Sequence, residues 1–299
     1  MTFRQLIATA LLLSIATLAG AQTTFATADE AARALVAAVK AADSKAMLSI
    51  LGAEAKSILS SGDATADRRA RETFAAAYAE AAKLEPSGEA KVVLRVGKDE
   101  WPFPIPLVKS AAGWRFDAKA GREEVLNRRI GRNELATIEV LGAYVDAQRE
   151  YYVRNPQNDK LLQYAQKLRS SQGKRDGLYW PAKPGEKPSP LGPFVSGARA
   201  EGYTAPDPAK LTPYHGYYYR ILRAQGPDAP GGAYSYLAQG KMIGGFALIA
   251  WPALYGNSGV MTFLVNHDGA VYEKDLGPET AAQVAKITRF NPDTSWKRP

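Results

Sequence analysis

One of only two histidines in the chain, His267, stands between Asn266 and Asp268 in the stretch VMTFLVNHDGAVYEKD. Such a cluster could serve a calcium loop or, with Ser258 upstream, a hydrolase. An EF-hand calcium loop needs glycine at its sixth position, but the sixth residue from Asn266 is Val271. Ser258 and His267 would lie roughly 20 Å or more apart along one strand, at about 3.3 Å per residue. Asp-Gly between two alternating runs is typical of a hairpin, so we predict that NHDG is a turn.

Metal and nucleophile chemistry have little support elsewhere in the sequence. The chain has no cysteine, and its other histidine, His215, is far from His267, so a tetrahedral zinc site would need carboxylate ligands. Ser171 and Lys174 match a Ser-x-x-Lys pair, but Gly173 interrupts the motif and its companion motifs are absent. We therefore predict no metal, no cofactor and no catalytic residue.

Pairs of acidic residues are the remaining source of catalysis, because two carboxyl groups about 5 to 10 Å apart can cleave glycosidic bonds. Turn chemistry, helical i,i+4 pairing and a solvated strand face explain each candidate pair equally well. A carboxylate-dependent hydrolase of an envelope polymer is therefore kept as an alternative. The candidate pairs are Asp99 with Glu100, Asp146 with Glu150, and Glu273 with Asp275.

Aromatic side chains near cations favour binding over catalysis. Flat aromatic faces with interleaved cations suit sugar rings or anionic polymers, through stacking and hydrogen bonds. Strands favour aromatic residues in any case, so buried core tyrosines are the alternative interpretation. The candidate ligand-binding residues are Tyr179, Trp180, Tyr217, Tyr219, Arg220, Trp251 and Tyr255.

The first 21 residues, MTFRQLIATALLLSIATLAGA, have the form of a secretory signal. A basic start at Arg4 precedes an apolar run, and the stretch closes with an Ala-x-Ala pattern. The apolar run is shorter than the roughly 20 residues that a membrane span needs. We predict cleavage after Ala21, no transmembrane segment in the mature chain, and a periplasmic or secreted location.

The formal net charge of +8 makes the chain basic. A basic exported protein is attracted to anionic envelope polymers or lipid headgroups. The positive charges are dispersed along the chain and the predicted compartment lacks nucleic acid, so we expect no nucleic-acid partner. The oligomeric state stays open.

Hydrophobic periodicity predicts an α+β fold with two units. Residues 22–120 form the first, helices over 27–83 followed by strands near 89–97, 101–109 and 113–117. Thr27 and Glu30 predict a capping box at the first helix. Prolines at alternate positions from Pro102 to Pro106 favour an edge strand or a solvated extended stretch. This helix-then-antiparallel-sheet order is compatible with cystatin-like or nuclear-transport-factor-two-like folds.

Residues 121–299 form the second predicted unit, a long helix packed on an antiparallel sheet. The helix runs from about Lys119 to Arg154, with Gly131 as a possible kink or break. A long irregular loop, 173–213, is expected to be ordered because it carries several aromatics. Strands follow from Tyr214 onward, and PETAAQVAKIT predicts a last short helix.

Several long motifs carry a family resemblance. HGYYYRIL, GLYWPA and GKMIGGFALIAWPALYGNSGVMTFLVNHDGAVYEKDLGPET resemble the bacterial exported proteins grouped as domain-of-unknown-function family 2950, over about Phe25 to Trp296. The resemblance implies class and compartment, and it carries no catalytic assignment. GVMTFLVNHDGAVY, after the helix RNELATIEVLGAYVDAQREYYV, is also weakly similar to the globular heads of type IV pilin-like proteins.

These observations together favour a non-catalytic envelope binding protein for a glycan, a peptidoglycan fragment or a partner protein. The alternatives are the carboxylate-dependent hydrolase and a structural partner in an envelope complex. A deep cleft with converging acidic side chains would favour the hydrolase, a shallow aromatic-lined groove would favour binding, and a bare apolar patch would favour a protein partner.

Overall fold

Helices form the first part of the described chain, as predicted. The structure, a computed structural model, describes residues 22–204 and 211–299. The predicted capping box is confirmed, because the Glu30 amide donates to Thr27 Oγ1 at 3.1 Å and the Thr27 amide donates to the Glu30 carboxylate at 3.3 Å. These bonds satisfy two amides that a helix start leaves free. The helices are α1 Ala28–Lys40, α2 Ser44–Leu51, a 3-10 helix Ala53–Ala55, α3 Lys56–Leu59 and α4 Ala64–Glu80.

An antiparallel sheet follows, and its first strand corrects the sequence prediction. The helical region was expected to continue to residue 83, but α4 ends at Glu80 and residues 82–86 form a strand. Leu84 pairs with Leu94 of the next strand and packs partly buried against the core, a tertiary contact that outweighs local helix preference. The strands are β1 Ala82–Pro86, β2 Lys91–Val96, β3 Trp101–Pro102, β4 Leu107–Ser110 and β5 Gly113–Phe116, in the order β1-β2-β4-β5 with β3 also paired to β2.

The proline-rich run 101–109 is two short strands rather than the single strand expected. Pro104 and Pro106 fall between β3 and β4, where their missing amides remove no ladder bond. Phe103 still donates from its amide to Leu94 O at 2.7 Å. The prolines therefore interrupt the pairing with β2 without detaching the segment from the sheet.

A single helix of 37 residues, α5 Ala118–Arg154, connects the two halves of the structure. It begins at Asp117, whose side chain accepts from the Ala120 amide at 3.2 Å. It ends at Asn155, which takes the left-handed conformation common after a helix. The helix is continuous through Gly131, so the break considered there does not occur. At about 1.5 Å per residue it is about 55 Å long.

A second antiparallel sheet packs against the C-terminal part of α5. The NHDG turn is confirmed, because Gly269 donates to Asn266 O at 2.9 Å with φ of +83°. The sheet order is β13-β12-β11-β6, beside two short hairpins. The elements are β6 Tyr217–Leu222, β7 Ala224–Gln225, β8 Tyr234–Ser235, β9 Leu237–Ala238, β10 Lys241–Met242, β11 Ala247–Pro252, β12 Met261–Asn266, β13 Val271–Asp275 and α7 Thr280–Lys286.

The predicted irregular loop, 173–213, contains one helix that the sequence prediction missed. This helix is α6, Gly192–Ala200, and a proline stands in its first turn, where the fixed φ of proline suits a helix start. Tyr179, Trp180 and Tyr203 are buried, as expected for an ordered loop. Residues 205–210 of this loop and the predicted signal, residues 1–21, lie outside the described residues.

Two large hydrophobic clusters support the α+β architecture. The first core joins α1, α2, β4 and β5, and the second core joins α5 to the second sheet. The expected division of the chain near residue 120 stays a prediction. No helix within the described ranges is long and apolar enough to cross a membrane.

The start of the described chain is fixed to the first core. Gln22 donates from its side-chain amide to Ile50 O at 2.9 Å and to Phe116 O at 2.8 Å. Phe25 forms a two-bond bridge with Trp114, with N···O distances of 2.9 and 2.8 Å. Residues 22–25 are thereby held against α2 and β5.

Candidate functional site

A cavity of about 270 Å³ lies between α5, α6, the start of α4 and the second sheet. Its lining is mostly aromatic and apolar, and we call it the tyrosine cavity. The residues that line it are Gly62, Asp63, Ala64, Thr65, Val140, Tyr144, Leu168, Tyr179, Leu191, Phe194, Val195, Ala198, Tyr203, Thr204, Thr212, Pro213, Tyr214, Tyr219 and Leu248.

Helix α5 supplies one wall of the tyrosine cavity. Val140 and Tyr144 are four positions apart and so share a helix face. The Tyr144 hydroxyl donates to Ala247 O at 3.2 Å and accepts from Gln148 Nε2 at 3.0 Å. Burial raises the pKa of Tyr144 above its ordinary value, so this hydroxyl stays protonated. The two hydrogen bonds hold the side chain against the sheet.

The opposite wall contains a buried carboxylate, Asp63, which is 1% exposed. Its Oδ1 caps α4 by accepting from the amides of Thr65 at 3.1 Å and Ala66 at 3.0 Å. Its Oδ2 accepts from the Tyr203 hydroxyl at 2.9 Å and from the Gly216 amide at 3.0 Å. Four donors satisfy the charge that burial would otherwise leave unsolvated. The arrangement makes Asp63 a structural junction rather than a free general base.

A cluster of charged side chains near Tyr203 lies outside the lining of the tyrosine cavity. Glu201 Oε2 is 2.6 Å from Arg69 Nη1 and 3.6 Å from His215 Nε2. Burial is the largest influence on His215 and lowers its pKa below 6.5, against the opposing effects of Glu201 and Asp63. Within the described parts of the chain, no three His, Asp or Glu side chains are placed to hold a metal ion.

The tyrosine hydroxyls are largely bonded to the protein itself. Besides Tyr144 and Tyr203, Tyr219 lies with its hydroxyl 3.3 Å from both Tyr214 O and Thr137 Oγ1. Burial raises the pKa of Tyr214 to about 12, so its hydroxyl is neutral as well. The cavity therefore presents ring surfaces to a ligand, and this suits apolar or aromatic groups more than charged ones.

Two of the seven predicted ligand-binding residues, Tyr179 and Tyr219, line the tyrosine cavity. Trp180 is buried, and its ring centre lies 5.6 Å from Arg154 Cζ and 5.7 Å from Arg175 Cζ. The structure thus brings one neighbour of the predicted Tyr179–Trp180 pair to the cavity and places the other beneath surface arginines.

The remaining predicted residues lie elsewhere in the second core or at its surface. Tyr217 is fully buried and donates to Met261 O at 2.9 Å. Arg220 lies over the Trp251 ring at 5.6 Å. Tyr255 is half-buried and donates to an Asp275 oxygen at 3.2 Å. These four do not converge on the tyrosine cavity.

Several cavity residues were not identified from sequence as site residues. Asp63 could have been found most easily from the sequence, because an aspartate just before a predicted helix is a typical N-cap. Tyr144 carried a signal too, since it continues the apolar face of α5. Tyr203 and Phe194 are among the aromatics of the predicted ordered loop, and no local pattern shows which distant segments meet there.

The predicted carboxylate pairs lie outside the lining of the tyrosine cavity. Glu150 forms ion pairs with Arg154 at 3.2 Å and Lys187 at 3.0 Å. Burial and then Glu134 raise the pKa of Glu273, but its neighbour Asp275 is exposed. None of the six predicted acids is among the described residues that line the tyrosine cavity.

Fold and site together define an α+β protein with two antiparallel sheets and a cavity walled by tyrosines. Residues 22–298 match the family described as protein of unknown function (DUF2950), and the chain belongs to that family. The family resemblance predicted from sequence is thereby confirmed. No curated protein and no solved structure matches the chain, so the likeness to pilin heads gains no support.

Proposed function

We propose that this protein is an exported, non-catalytic binding protein of the cell envelope, and that its tyrosine cavity holds the apolar or aromatic part of a small ligand. One observation carries the proposal: a cavity of about 270 Å³ whose walls are aromatic rings and aliphatic side chains. A cavity of about 150 Å³ can hold benzene, so this one has room for a larger ring system or one sugar ring.

The chemistry of the walls favours binding over catalysis. Asp63 is the carboxylate in the wall, and both of its oxygens already accept two hydrogen bonds. A general base needs a free lone pair directed at the substrate. Tyr203 donates its hydroxyl proton to the same carboxylate, which further stabilises the neutral phenol.

Export is supported by the N-terminal sequence. The apolar run and the Ala19-Gly20-Ala21 ending are typical of a cleaved signal. The family match begins at residue 22, directly after the predicted cleavage point. The envelope is therefore the proposed place of action, and its glycans and peptidoglycan fragments are the proposed source of ligands.

A polar groove favours a glycan as a second ligand. The groove has a volume of about 320 Å³ and lies beside α5 and the β9–β10 hairpin. Amide side chains both donate and accept hydrogen bonds, as the hydroxyl groups of a sugar require. The groove is lined by Tyr151, Gln157, Gln163, Tyr164, Gln166, Lys167, Asp176, Arg223, Gln239, Gly240 and Lys241.

The first experiment adds a larger side chain to the lining of the tyrosine cavity. Ala198 lines it from α6, whereas Ala200 on the same helix does not. We expect Ala198→Leu to weaken the binding of indole, used as an aromatic probe, by about tenfold, equal to about 1.4 kcal/mol. The matched control Ala200→Leu should bind as the unaltered protein does, in isothermal titration calorimetry. Equal affinities in the two variants would contradict the assignment of the cavity.

A second experiment separates binding from hydrolysis. The purified protein is incubated with isolated cell-wall sacculi over a series of salt concentrations, and both co-sedimentation and released fragments are measured. Co-sedimentation without release is the expected result, and salt should weaken it if the basic surface contributes. Release of soluble fragments that is lost when Glu273 or Asp275 is changed to the amide would favour the hydrolase instead.

A further inference from the structure

A second cavity, of about 200 Å³, lies in the first core, and we call it the arginine pocket. Its inner walls come from α1, α2 and the segment before β4. Leu35, Met47, Leu51 and Ile105 are at most 3% exposed. Phe103 and Phe74 complete this apolar wall, with their ring centres 4.9 Å apart. The interior of the pocket is thus apolar and shielded from solvent.

Four arginines stand where this apolar pocket ends. They come from α4 and α5 and are Arg71, Arg128, Arg129 and Arg132. Arg128 lies over the ring of Trp101, 5.4 Å from its centre. Arg129 is fixed by hydrogen bonds to the carbonyls of Ser57 and Ile58 and to the side chain of Asn257. The rim is therefore cationic and partly held in place by the surrounding structure.

The arginine pocket opens into a wide cleft between α4 and α5. The cleft has a volume of about 940 Å³. The described residues that line both spaces are Asp67, Ala70, Phe74, Trp101, Arg129 and Arg132. Trp101 is 42% exposed, whereas Ile105 deeper in the pocket is fully buried. A ligand could thus reach the apolar interior from solvent past the arginines.

Positive charge at this opening is not balanced within the described part of the chain. Arg128 is paired with Glu124 at 2.5 Å. Asp67 accepts from the Ser61 amide through both carboxylate oxygens, at 3.2 and 3.0 Å. Arg71 and Arg132 form no hydrogen bond or ion pair with a described residue. Two guanidinium groups therefore remain for an anionic group of a ligand.

We propose that the arginine pocket binds a single-chain amphipathic anion, with its hydrocarbon tail in the first core and its carboxylate or phosphate head between Arg71 and Arg132. An apolar interior gains free energy by removing the tail from water. Guanidinium groups bind carboxylate and phosphate with paired hydrogen bonds. This site is separate from the tyrosine cavity and does not depend on the function proposed for that cavity.

Calorimetry tests how the arginine charges contribute to ligand binding. The ligands are octanoate and octyl phosphate, below their micelle concentrations, and uncharged octanol is the comparison ligand. We expect saturable binding of both anions and weaker binding at high salt. The double variant Arg71→Gln/Arg132→Gln should weaken anion binding by about tenfold or more and leave octanol binding unchanged. Lys91→Gln/Arg115→Gln, which removes two charges from β2 and β5, is the matched control and should have no effect.

The apolar component is tested by blocking the opening. Ala70 lines it, and Ala76 is an exposed residue of the same helix outside the pocket lining. Ala70→Phe should weaken the binding of all three ligands, and Ala76→Phe should leave the binding of all three unchanged. The proposal is overturned if octanoate shows no saturable binding. It is equally overturned if neither Ala70→Phe nor the double arginine variant changes the affinity.

A vesicle experiment identifies the source of the anion. Phosphatidylglycerol vesicles are sedimented with the protein and with the Ala70→Phe variant. Co-sedimentation that Ala70→Phe abolishes supports the site with a membrane lipid as its ligand. Octanoate binding without co-sedimentation supports the same site with a soluble amphiphile as its ligand.

Discussion

The hydroxyl of Tyr203 donates to Oδ2 of Asp63 across 2.9 Å, although the two residues are 140 positions apart in the chain. Asp63 caps α4, Tyr203 follows α6, and the Gly216 amide just before β6 donates to the same carboxylate oxygen. One buried carboxylate therefore joins three segments that come from both halves of the chain. The same contact forms part of the wall of the tyrosine cavity.

Removing this junction should destabilise the protein more than removing an ordinary helix cap. Asp63→Ala leaves the Tyr203 hydroxyl and the Gly216 amide without an acceptor, so we expect a loss of about 3 kcal/mol in the free energy of unfolding. Asp43→Ala removes the exposed cap of α2 and should cost about 1 kcal/mol. Urea denaturation measures the free energy of unfolding of both variants. Equal losses in the two variants would show that Asp63 acts only as a helix cap.

A double-mutant cycle isolates the Tyr203–Asp63 contact. Tyr203→Phe should cost about 1 to 2 kcal/mol, because a buried carboxylate oxygen loses one donor. The combined variant with Asp63→Ala should lose less than the sum of the single variants, since both remove the same interaction. Strict additivity in urea denaturation would contradict a direct bond.

Gly113 should tolerate alanine less well than Gly88. Both have φ values above +100°, where an L-residue is strained by roughly 1 to 2 kcal/mol. A Cβ on Gly113 would lie 2.4 Å from Phe25 O, whereas one on Gly88 meets no atom within 4 Å. Gly113→Ala should therefore cost about 1 to 3 kcal/mol more than Gly88→Ala in urea denaturation. Similar losses would show that the bridge to Phe25 shifts without cost.

The pH dependence of stability should contain a contribution from His215. Burial lowers the pKa of His215 below 6.5; Glu201, Asp63 and Glu139 oppose this effect, and Arg69 adds to it. Because the folded state favours the neutral imidazole, the contribution is fully present above pH 6.5 and is lost as the pH falls through the folded pKa.

The matched substitution is His215→Asn, because asparagine accepts the positive φ of +49° found at this position. Urea denaturation over a pH series should show a shallower loss of stability on acidification in this variant. His267→Asn is the control and should retain the contribution of His215. The same pH slope in His215→Asn and the unaltered protein would contradict the prediction.

Arg220 should stabilise the fold without contributing to ligand binding. Its Nη2 donates to Val284 O and Ile287 O, both at 2.7 Å, at the end of α7. Arg220→Met should lower the free energy of unfolding by about 2 kcal/mol, since two charge-assisted bonds are lost. Arg223→Met changes an exposed neighbour and should cost at most about 0.5 kcal/mol. Indole or sacculus binding that weakens in the folded Arg220→Met variant would instead support Arg220 as a ligand-binding residue.

Local patterns predicted the parts of the fold that depend on neighbouring residues. Thr27 and Glu30 form their capping box within one helical turn, and NHDG closes a hairpin through Gly269. The strand around Leu84 was missed because its conformation depends on pairing with β2. Helix α6 was missed because glycine and proline around it indicate a loop when read without tertiary contacts.

The tyrosine cavity was only partly predictable for a related reason. Tyr179 and Tyr219 were selected from sequence because aromatic residues with nearby cations indicate binding surfaces. Tyr217 belongs to the same strand as Tyr219 but is fully buried in the core, and strand periodicity does not separate a cavity wall from a packed core. The contact between Tyr203 and Asp63 is set by tertiary structure alone.

The two hydrogen bonds of the Gln22 side chain have a chemical consequence for a chain that is cleaved after Ala21. Cleavage after Ala21 would make Gln22 the N-terminal residue, and a free N-terminal glutamine can cyclise when its amine attacks the side-chain carbonyl carbon and releases ammonia. That reaction would remove the nitrogen that donates to Ile50 O and Phe116 O. The folded protein should therefore resist cyclisation, and its intact mass should show a complete glutamine, whereas the unfolded protein should lose ammonia under the same conditions.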